Sequence, residues 1–545
     1  MEFRYAASIV LEAHLPFVKE YHDEEDLCQA GKESRFFTAV SETLLPLLNV
    51  FDRLENDHVP FRLGLAISPI LCHMLNDEHL IKKYLHYTDK QVEFGKQEIE
   101  RTKSHGELNK LAHLFYNCIL DKRNTFIERY EKNILKTIDF YQRKGRIEIL
   151  AGTATNAFLP FISYSAESLQ AQMEIPMSFY RRHFGGSPQG FWLPALGWTS
   201  AMEPFLRAYN FCYTIIDSHG LLFGNPIPGK GSFYPVKTPN GTFILARDFY
   251  AVKQIEQIAN DEMFLDNDRD VGYELPPEIV SCFLSGEGER HRTGYKYWSR
   301  MAANTSDNSH AEKRTDNQEQ SIIYNPQTAC ERVNEYARSF LESTISRLEE
   351  ASRHMEGIPL SLYAHNASNF GHFWHEGPQF IEALFRMAAG NDNFQFLCPS
   401  EYIYKQNLST FQVVVPEFSS MGFNGYAETW LDVSNDWIYR HLMRSTERMI
   451  ELAERFPDDT GLKERALNQA AREILLAQSS DWPALLYRQD STEFARNQVE
   501  NALRNFTTIY EALGSNYIST EWLTNLERRH NIFPNINYRV FRRKR

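Results

Sequence analysis

A chain of 545 residues is long enough for two or three domains built around a large core. Its formal net charge of -13 lacks the positive footprint that binding to a phosphate backbone requires, so nucleic acid is excluded as the expected partner. No run approaches the ~18 apolar residues of a membrane helix, and the seven scattered cysteines contain no C-x-x-C pair, so a cytoplasmic protein with reduced thiols is expected, with no disulfide framework and no zinc site.

Short apolar runs alternate with long helical tracts through the first two-thirds of the chain. Strands are predicted at 6–11, 61–68, 147–151, 189–193, 212–217, 243–247 and 359–364, most of them ending in polar residues. Seven strands separated by helices predict an α/β fold, either a parallel β/α barrel or a doubly wound sheet. In a barrel the residues just past each strand face the active site, here Glu12, His14, Asn156, Asp217, His219, Asp248, His365 and Asn366.

Residues from about 76 to 144 are charged and helical and too long for one crossover, which predicts an inserted subdomain. Residues from about 302 to 320 are polar and predict a loop. In the last third, Ile438, Leu442, Ser445, Met449, Leu452 and Phe456 recur at helical spacing and stop at Pro457. A second helix is predicted from about 462 to 477, and a third from Asp490, with Glu493 completing a capping box. The predicted organisation is a barrel over 1–395, a helical domain over 396–520, and a basic tail over 521–545 whose end, Arg539 to Arg545, is expected to be solvated.

Eight short segments carry more than packing. They are Ala13-His14-Leu15-Pro16-Phe17, Glu148 through Asn156 to Pro160, Gly190-Phe-Trp-Leu-Pro-Ala195-Leu-Gly-Trp198, Asp217-Ser-His219 to Gly224, Thr293-Gly-Tyr-Lys-Tyr-Trp298, Phe370-Gly-His-Phe-Trp374-His-Glu-Gly-Pro378, Asn435 to Tyr439, and Gln478-Ser-Ser-Asp481-Trp482. Together they resemble glycoside hydrolase family 57, and within it the α-1,4-glucan branching enzymes, over nearly the whole length. The resemblance implies a seven-stranded parallel β/α barrel with an inserted helical subdomain and a C-terminal helical domain. It also implies a retaining mechanism and no cofactor.

Retention requires two carboxyl groups ~5–5.5 Å apart, one attacking the anomeric carbon and the other serving as acid and then base. The resemblance places these roles on Ala195 and Asn366. A methyl group has no lone pair to donate, and a neutral amide neither protonates a leaving oxygen nor activates a hydroxyl at neutral pH. Two further departures fall at the subsite for the reacting sugar, Glu12 and Asn156 standing where the family carries histidines. The segment 253–268 lacks the Gly-Tyr-Pro-Gly element that closes over the acceptor in the branching enzymes.

A pseudoenzyme of glycogen or starch-like α-glucan metabolism is therefore expected, binding glucan or regulating an active enzyme partner. An active glucanotransferase with relocated carboxylates is the alternative, with Glu12, Asp217, Asp248, Glu376 and Asp481 as candidates. A non-catalytic scaffold without sugar affinity is the third reading. The expected sugar-lining residues are Glu12, His14, Asn156, Trp192, Asp217, His219, Arg247, Asp248, Trp298, Trp374, Trp430 and Asp481. For each tryptophan, core packing competes with stacking on glucose. His372 and His375 at i, i+3 have no third ligand at diagnostic spacing, so no metal is expected.

Overall fold

The computed structural model describes residues 3–19, 31–285, 288–300 and 322–543. The polar stretch expected at about 302–320 lies outside the described residues. Among the described residues nine strands run in chain order: β1 Tyr5–Ala13, β2 Leu63–Ile67, β3 Ile147–Leu150, β4 Gly190–Phe191, β5 Tyr213–Ile216, β6 Val236–Lys237, β7 Phe243–Ala246, β8 Leu360–Asn366 and β9 Phe394–Phe396.

Seven of these form the barrel. One parallel sheet runs β3-β2-β1-β8 and a second runs β4-β5-β7. A parallel bridge between Ala151 and Phe191 joins them on one side. On the other, Asp248 N donates to Leu362 O at 2.7 Å, linking the end of β7 to β8. The two remaining strands are additions: β6 is antiparallel to β7, and β9 takes the first three residues of β1 before β2 takes the last four.

Side chains alternate across each strand, and here they divide into two cores. Ala6, Val10, Leu150, Ile215, Leu245 and Leu362 belong to a cluster inside the barrel. Their neighbours Ala7, Ile9, Ile149, Ile216, Ile244 and Tyr363 belong to the larger cluster under the helices. With both faces buried, the strands read as continuous apolar runs.

Helices begin where a polar side chain can serve the free backbone N–H groups of the first turn. Ser68 accepts from Leu71 N just after β2, with Pro69 pre-set at the first helical position. Asp77 accepts from His79 N and Leu80 N at 3.0 and 3.1 Å to start Glu78–Arg101. That helix packs with Gly106–Asn124 and, followed by Ile134–Arg143, forms the insertion between β2 and β3.

The C-terminal helices Trp437–Arg455, Leu462–Ala477, Asp481–Tyr487 and Thr492–Gly514 form a bundle, and Leu462–Ala477 is its buried centre. Two expectations fail here. The capping box at Asp490 does not form: Ser491, with a φ of 49°, precedes the helix, and its hydroxyl donates to Asp490 while accepting from Arg35. Nor are residues 521–543 a tail with a solvated end. Helix Thr520–Arg529 packs on Leu462–Ala477, and Leu523, Leu526, Ile532, Tyr538 and Phe541 are buried. The arginines among these apolar side chains are also engaged: Arg539 donates to Pro457 O at 2.7 Å, Asp459 O at 2.9 Å and Glu464 at 3.2 Å. Arg539→Ala is accordingly expected to lose about 1–2 kcal/mol in urea unfolding, where a free tail residue would lose nothing.

Candidate functional site at the barrel mouth

Extending the strand alternation past the last apolar residue sorts the polar side chains. Glu12, Trp192, Asp217, Arg247 and Asn366 have the parity of the inner cluster and reach the mouth. Asp248 and His365 have the opposite parity. In register, Glu12 pairs with Asn366 on β8 and with Ala66 on β2. The structure thus brings together residues from five separate segments of the chain.

Ala195 follows β4 with φ 55° and ψ 22°, and Leu196 follows with φ 49°. Two successive left-handed residues bearing Cβ atoms are strained and persist only where surrounding contacts hold them. Here Met421 N donates to Ala195 O at 2.7 Å, and Trp198 N donates to Ser419 O at 2.8 Å. The Ala195 methyl packs against a small cluster of Phe158, Ala427 and Trp430, which Phe161, Phe418 and Ala484 also border. Phe158 and Trp430 stack with centroids 5.0 Å apart and planes 3° from parallel. Trp430 is therefore committed to Phe158, and among the described residues its Nε1 is buried without a hydrogen-bond partner.

Asn366 is exposed at the end of β8, and its side chain makes no hydrogen bond among the described residues. Its neighbour His365 accepts from Asn369 and from Asn366 N, both at 2.8 Å. Burial, with Arg247 and Arg488 nearby, pushes His365 down to about 4.

Glu12 is 8% exposed, and burial pushes its carboxyl up to about 7 despite the opposing effect of His14. The Trp192 indole N–H faces that carboxyl and lowers it, although among the described residues Nε1 has no partner in strict hydrogen-bond geometry. His14 Nδ1 lies 2.8 Å from Ser68 Oγ, and Nε2 lies 2.9 Å from Asp481 Oδ2. Ser479 Oγ donates to the same Asp481 oxygen at 2.5 Å. Burial opposes charge on both partners, yet Asp481 holds His14 above the usual imidazole range and His14 holds Asp481 below the usual carboxylate range.

This pair ties the barrel to the helical domain, and its contribution has a definite sign. It is fully present below the ordinary histidine value of 6.5 and is lost as pH rises through the raised value of His14. Asp481→Ala is expected to lose about 2 kcal/mol at pH 6 and much less at pH 9, below the range for fully buried pairs because Asp481 is partly exposed. Equal losses at both pH values in urea unfolding would remove the pair as the cause.

Asp217 is buried and bound by Arg247 Nη2, by Ser218 N at 2.7 Å, and by His219 Nδ1 at 3.7 Å. Burial raises its carboxyl, but His219 and Arg247 together hold it below the usual range. Asp217 in turn holds His219 above its usual range, while His219 Nε2 lies 2.8 Å from Gly425 O. Among the described residues, Arg247 Nε is buried without a hydrogen-bond partner.

Asp248 differs from expectation. Facing away from the mouth, it caps helix Phe249–Ala259 through Tyr250 N and Ala251 N, and its other oxygen accepts from Arg347 at 2.6 Å and Ser361 at 2.5 Å. No oxygen is left for a sugar. Trp374 is a core residue, 1% exposed among Phe264, Phe370 and Phe380. Arg269 lies over one face of Trp298 at 4.8 Å, and the indole N–H donates to Glu274 at 2.8 Å. Glu376 is fully buried beneath Leu265 N.

Asn156, at φ 54°, is brought to the Gln478–Trp482 segment: its carbonyl accepts from Ser480 N at 3.1 Å. Sequence reasoning missed Ser68, Phe158, Arg35 and Gly425 as neighbours of the site. Ser68 had a signal, since Ser-Pro opening a helix is a capping pattern; the others come together only through the tertiary fold.

A cleft of about 1160 Å³ opens beside the mouth, and Glu12, His14, Arg35, Arg292, His372 and Ser491 are among the residues that line it. Ala195 and Asn366 do not line it. Among the described residues no cluster of three or more His, Cys, Asp or Glu is placed to hold a metal ion, and His372 is instead bound to Glu42 at 2.7 Å. Among the same residues no helix is long and apolar enough to cross a membrane.

The seven-stranded barrel, its helical insertion, and the helical domain locked to the mouth through His14 and Asp481 define a class, and the chain belongs to glycosyl hydrolase family 57. Residues 8–258 match that family, and residues 441–541 match the C-terminal region of 1,4-alpha-glucan branching enzymes. The chain is similar over 99% of its length, and all of the other's, to the alpha-amylase AmyC of Thermotoga maritima, with 32% identity and a TM-score of 0.89. It shares the fold of a branching enzyme from Pyrococcus horikoshii, with 22% identity, a TM-score of 0.86, and coverage of 99% of this chain and 97% of that one. The 1,4-alpha-glucan branching enzyme of Thermococcus kodakarensis is 24% identical over 96% of this chain and 77% of its own length.

Proposed function

We propose that this protein is a branching-enzyme-like member of its family that binds α-glucan without cleaving or transferring it. The observation that carries the reading is the setting of Ala195: where the family resemblance puts the nucleophile there is a methyl group, packed against aromatic and aliphatic side chains. Asn366 stands at the acid/base position with a neutral amide. A glycosyl-enzyme needs an attacking carboxylate and a proton donor flanking one anomeric carbon. Without them the covalent route is closed, and the preserved barrel mouth can hold a sugar but not open its C1–O bond.

A regulatory role beside an active enzyme on the same glucan follows from binding without turnover. The six described cysteines are unpaired thiols, which supports a cytoplasmic setting. Purified protein incubated with amylose should give no fall in iodine absorbance and no α-1,6 linkages. Branched product would sink the proposal. Affinity electrophoresis in glycogen should show retardation; free migration at every glycogen concentration would favour a scaffold role instead.

The relocated-carboxylate reading keeps one observation in its favour, the protonatable Glu12 at the mouth. Asp217 and Asp248 are each tied to an arginine. If turnover were found, Glu12→Gln should abolish it; unchanged turnover would remove that reading.

A further inference from the structure

From Gly220 to Gly229, and again from Phe411 to Pro416, the chain carries no charged side chain. The fold binds these two segments together in antiparallel order. Glu417 N donates to Gly220 O at 2.9 Å, and Asn225 and Val415 exchange both backbone hydrogen bonds at 2.9 Å. At the far end Gln412 Nε2 donates to Ile227 O at 3.0 Å while its Oε1 accepts from Gly229 N at 2.8 Å. Alternation along the second segment buries Val414 and turns Val413, Val415 and Glu417 outward. Beside them Phe223 is 65% exposed and Ile227 76% exposed, with Leu222 also at the surface. Single apolar side chains scattered over a surface need no explanation, but five on two bonded segments form a patch of the kind that marks an interaction site.

The charges at its ends indicate what covers it. At the Gly220 end stands Glu417, exposed and without an ion-pair partner among the described residues. At the Gly229 end stands Lys230, which meets no carboxylate among those residues; its Nζ lies over the Tyr234 ring at 3.8 Å and donates to Thr410 O at 3.4 Å. Lys237, in register with Val413, adds a second cation on that side. An apolar row with an acid at one end and a base at the other is complementary to itself after a half-turn, so that row meets row and each acid meets the other copy's base. We propose that this face joins two copies of the chain in an isologous dimer, with Phe223, Ile227, Val413 and Val415 at its centre and a Glu417–Lys230 contact at each edge. Each copy carries a net charge of -13, so association needs a surface whose centre is free of negative charge, and this row is one. A stable pair buries about 800 Å² on each copy, so the apolar side chains are its core, with Asn225, Gln412 and the end charges as its rim. The outward row runs on into Ser419 and Met421, whose backbones hold Trp198 and Ala195, so a partner seated here also fixes the loop behind the methyl group.

Sedimentation equilibrium of the full chain from about 1 to 100 µM provides the test. The wild type should form dimers in that range. Ile227→Asp and Phe223→Asp each place an unpaired charge at the centre and should weaken association at least about tenfold; both side chains are exposed in the single chain, so neither change disturbs the fold. Glu417→Lys should weaken it about tenfold, and combining it with Lys230→Glu should restore it, because in a two-fold pair the swap exchanges partners at both edges. A wild type that stays monomeric throughout overturns the proposal, as does a dimer that Ile227→Asp leaves intact. A double variant no tighter than Glu417→Lys overturns the half-turn pairing. If the protein is monomeric and Phe223→Asp instead weakens its retardation in glycogen gels, the face serves glucan and the dimer proposal falls.

Discussion

Glu12→Gln is expected to stabilise the protein by ~3 kcal/mol at pH 8 and to leave it nearly unchanged at pH 4. The carboxyl rises from an ordinary 4.5 to about 7 because burial disfavours its charge. Between those two values the folded chain holds a proton that the unfolded chain has released, so stability falls as pH climbs through that window. Above it, the folded protein carries the full penalty of ionising a buried acid. Glutamine has nearly the same shape and nothing to ionise, so the difference between variant and wild type should open from acid to alkaline pH. Urea unfolding at the two pH values measures it, and a constant difference would mean that the charge of Glu12 is not the source. A side chain that weakens the fold at working pH and faces a cleft is better explained by binding than by packing.

The barrel was legible in the sequence because parallel strands covered on both faces read as short unbroken apolar runs, each closed by polar residues. All seven predicted runs correspond to barrel strands. What the runs could not show was direction. Arg247 and Asp248 are adjacent and were both expected at the mouth, yet alternation sends one into the lumen to meet Asp217 and the other outward to cap a helix. The same ambiguity joined Trp192 and Trp374, one at the mouth and one among phenylalanines in the outer core. Ala195 itself was visible in its motif, but its surroundings were not: Phe418, Ala427 and Trp430 come from a loop far downstream that no local pattern connects to it. At the C-terminus a count of arginines concealed the apolar side chains between them, and it is those that decide the packing.

Arg247→Met is expected to lose about 3 kcal/mol at pH 7 and much less at pH 3. Arg247 is 9% exposed and Asp217 is 6% exposed, so removing the guanidinium strands a carboxylate with only Ser218 and His219 to support it. Asp217 lies below its ordinary 3.8 in the folded protein, so the pair contributes fully above that value and fades as pH falls through the lowered one. Acid therefore narrows the gap between variant and wild type, and Asp217→Asn with Arg247→Met should recover most of the loss at pH 7. A second readout is independent of stability: His365, pushed to about 4 partly by Arg247, should titrate at higher pH in Arg247→Met when followed by NMR. If the loss is the same at pH 3 and pH 7, or if the His365 titration does not move, the ion pair is not what organises the mouth. If both hold, Asp217 is committed to keeping Arg247 in place and stays ionised through the neutral range. Of the two carboxyl groups that β1 and β5 bring to the barrel mouth, Glu12 is then the one whose protonation changes there.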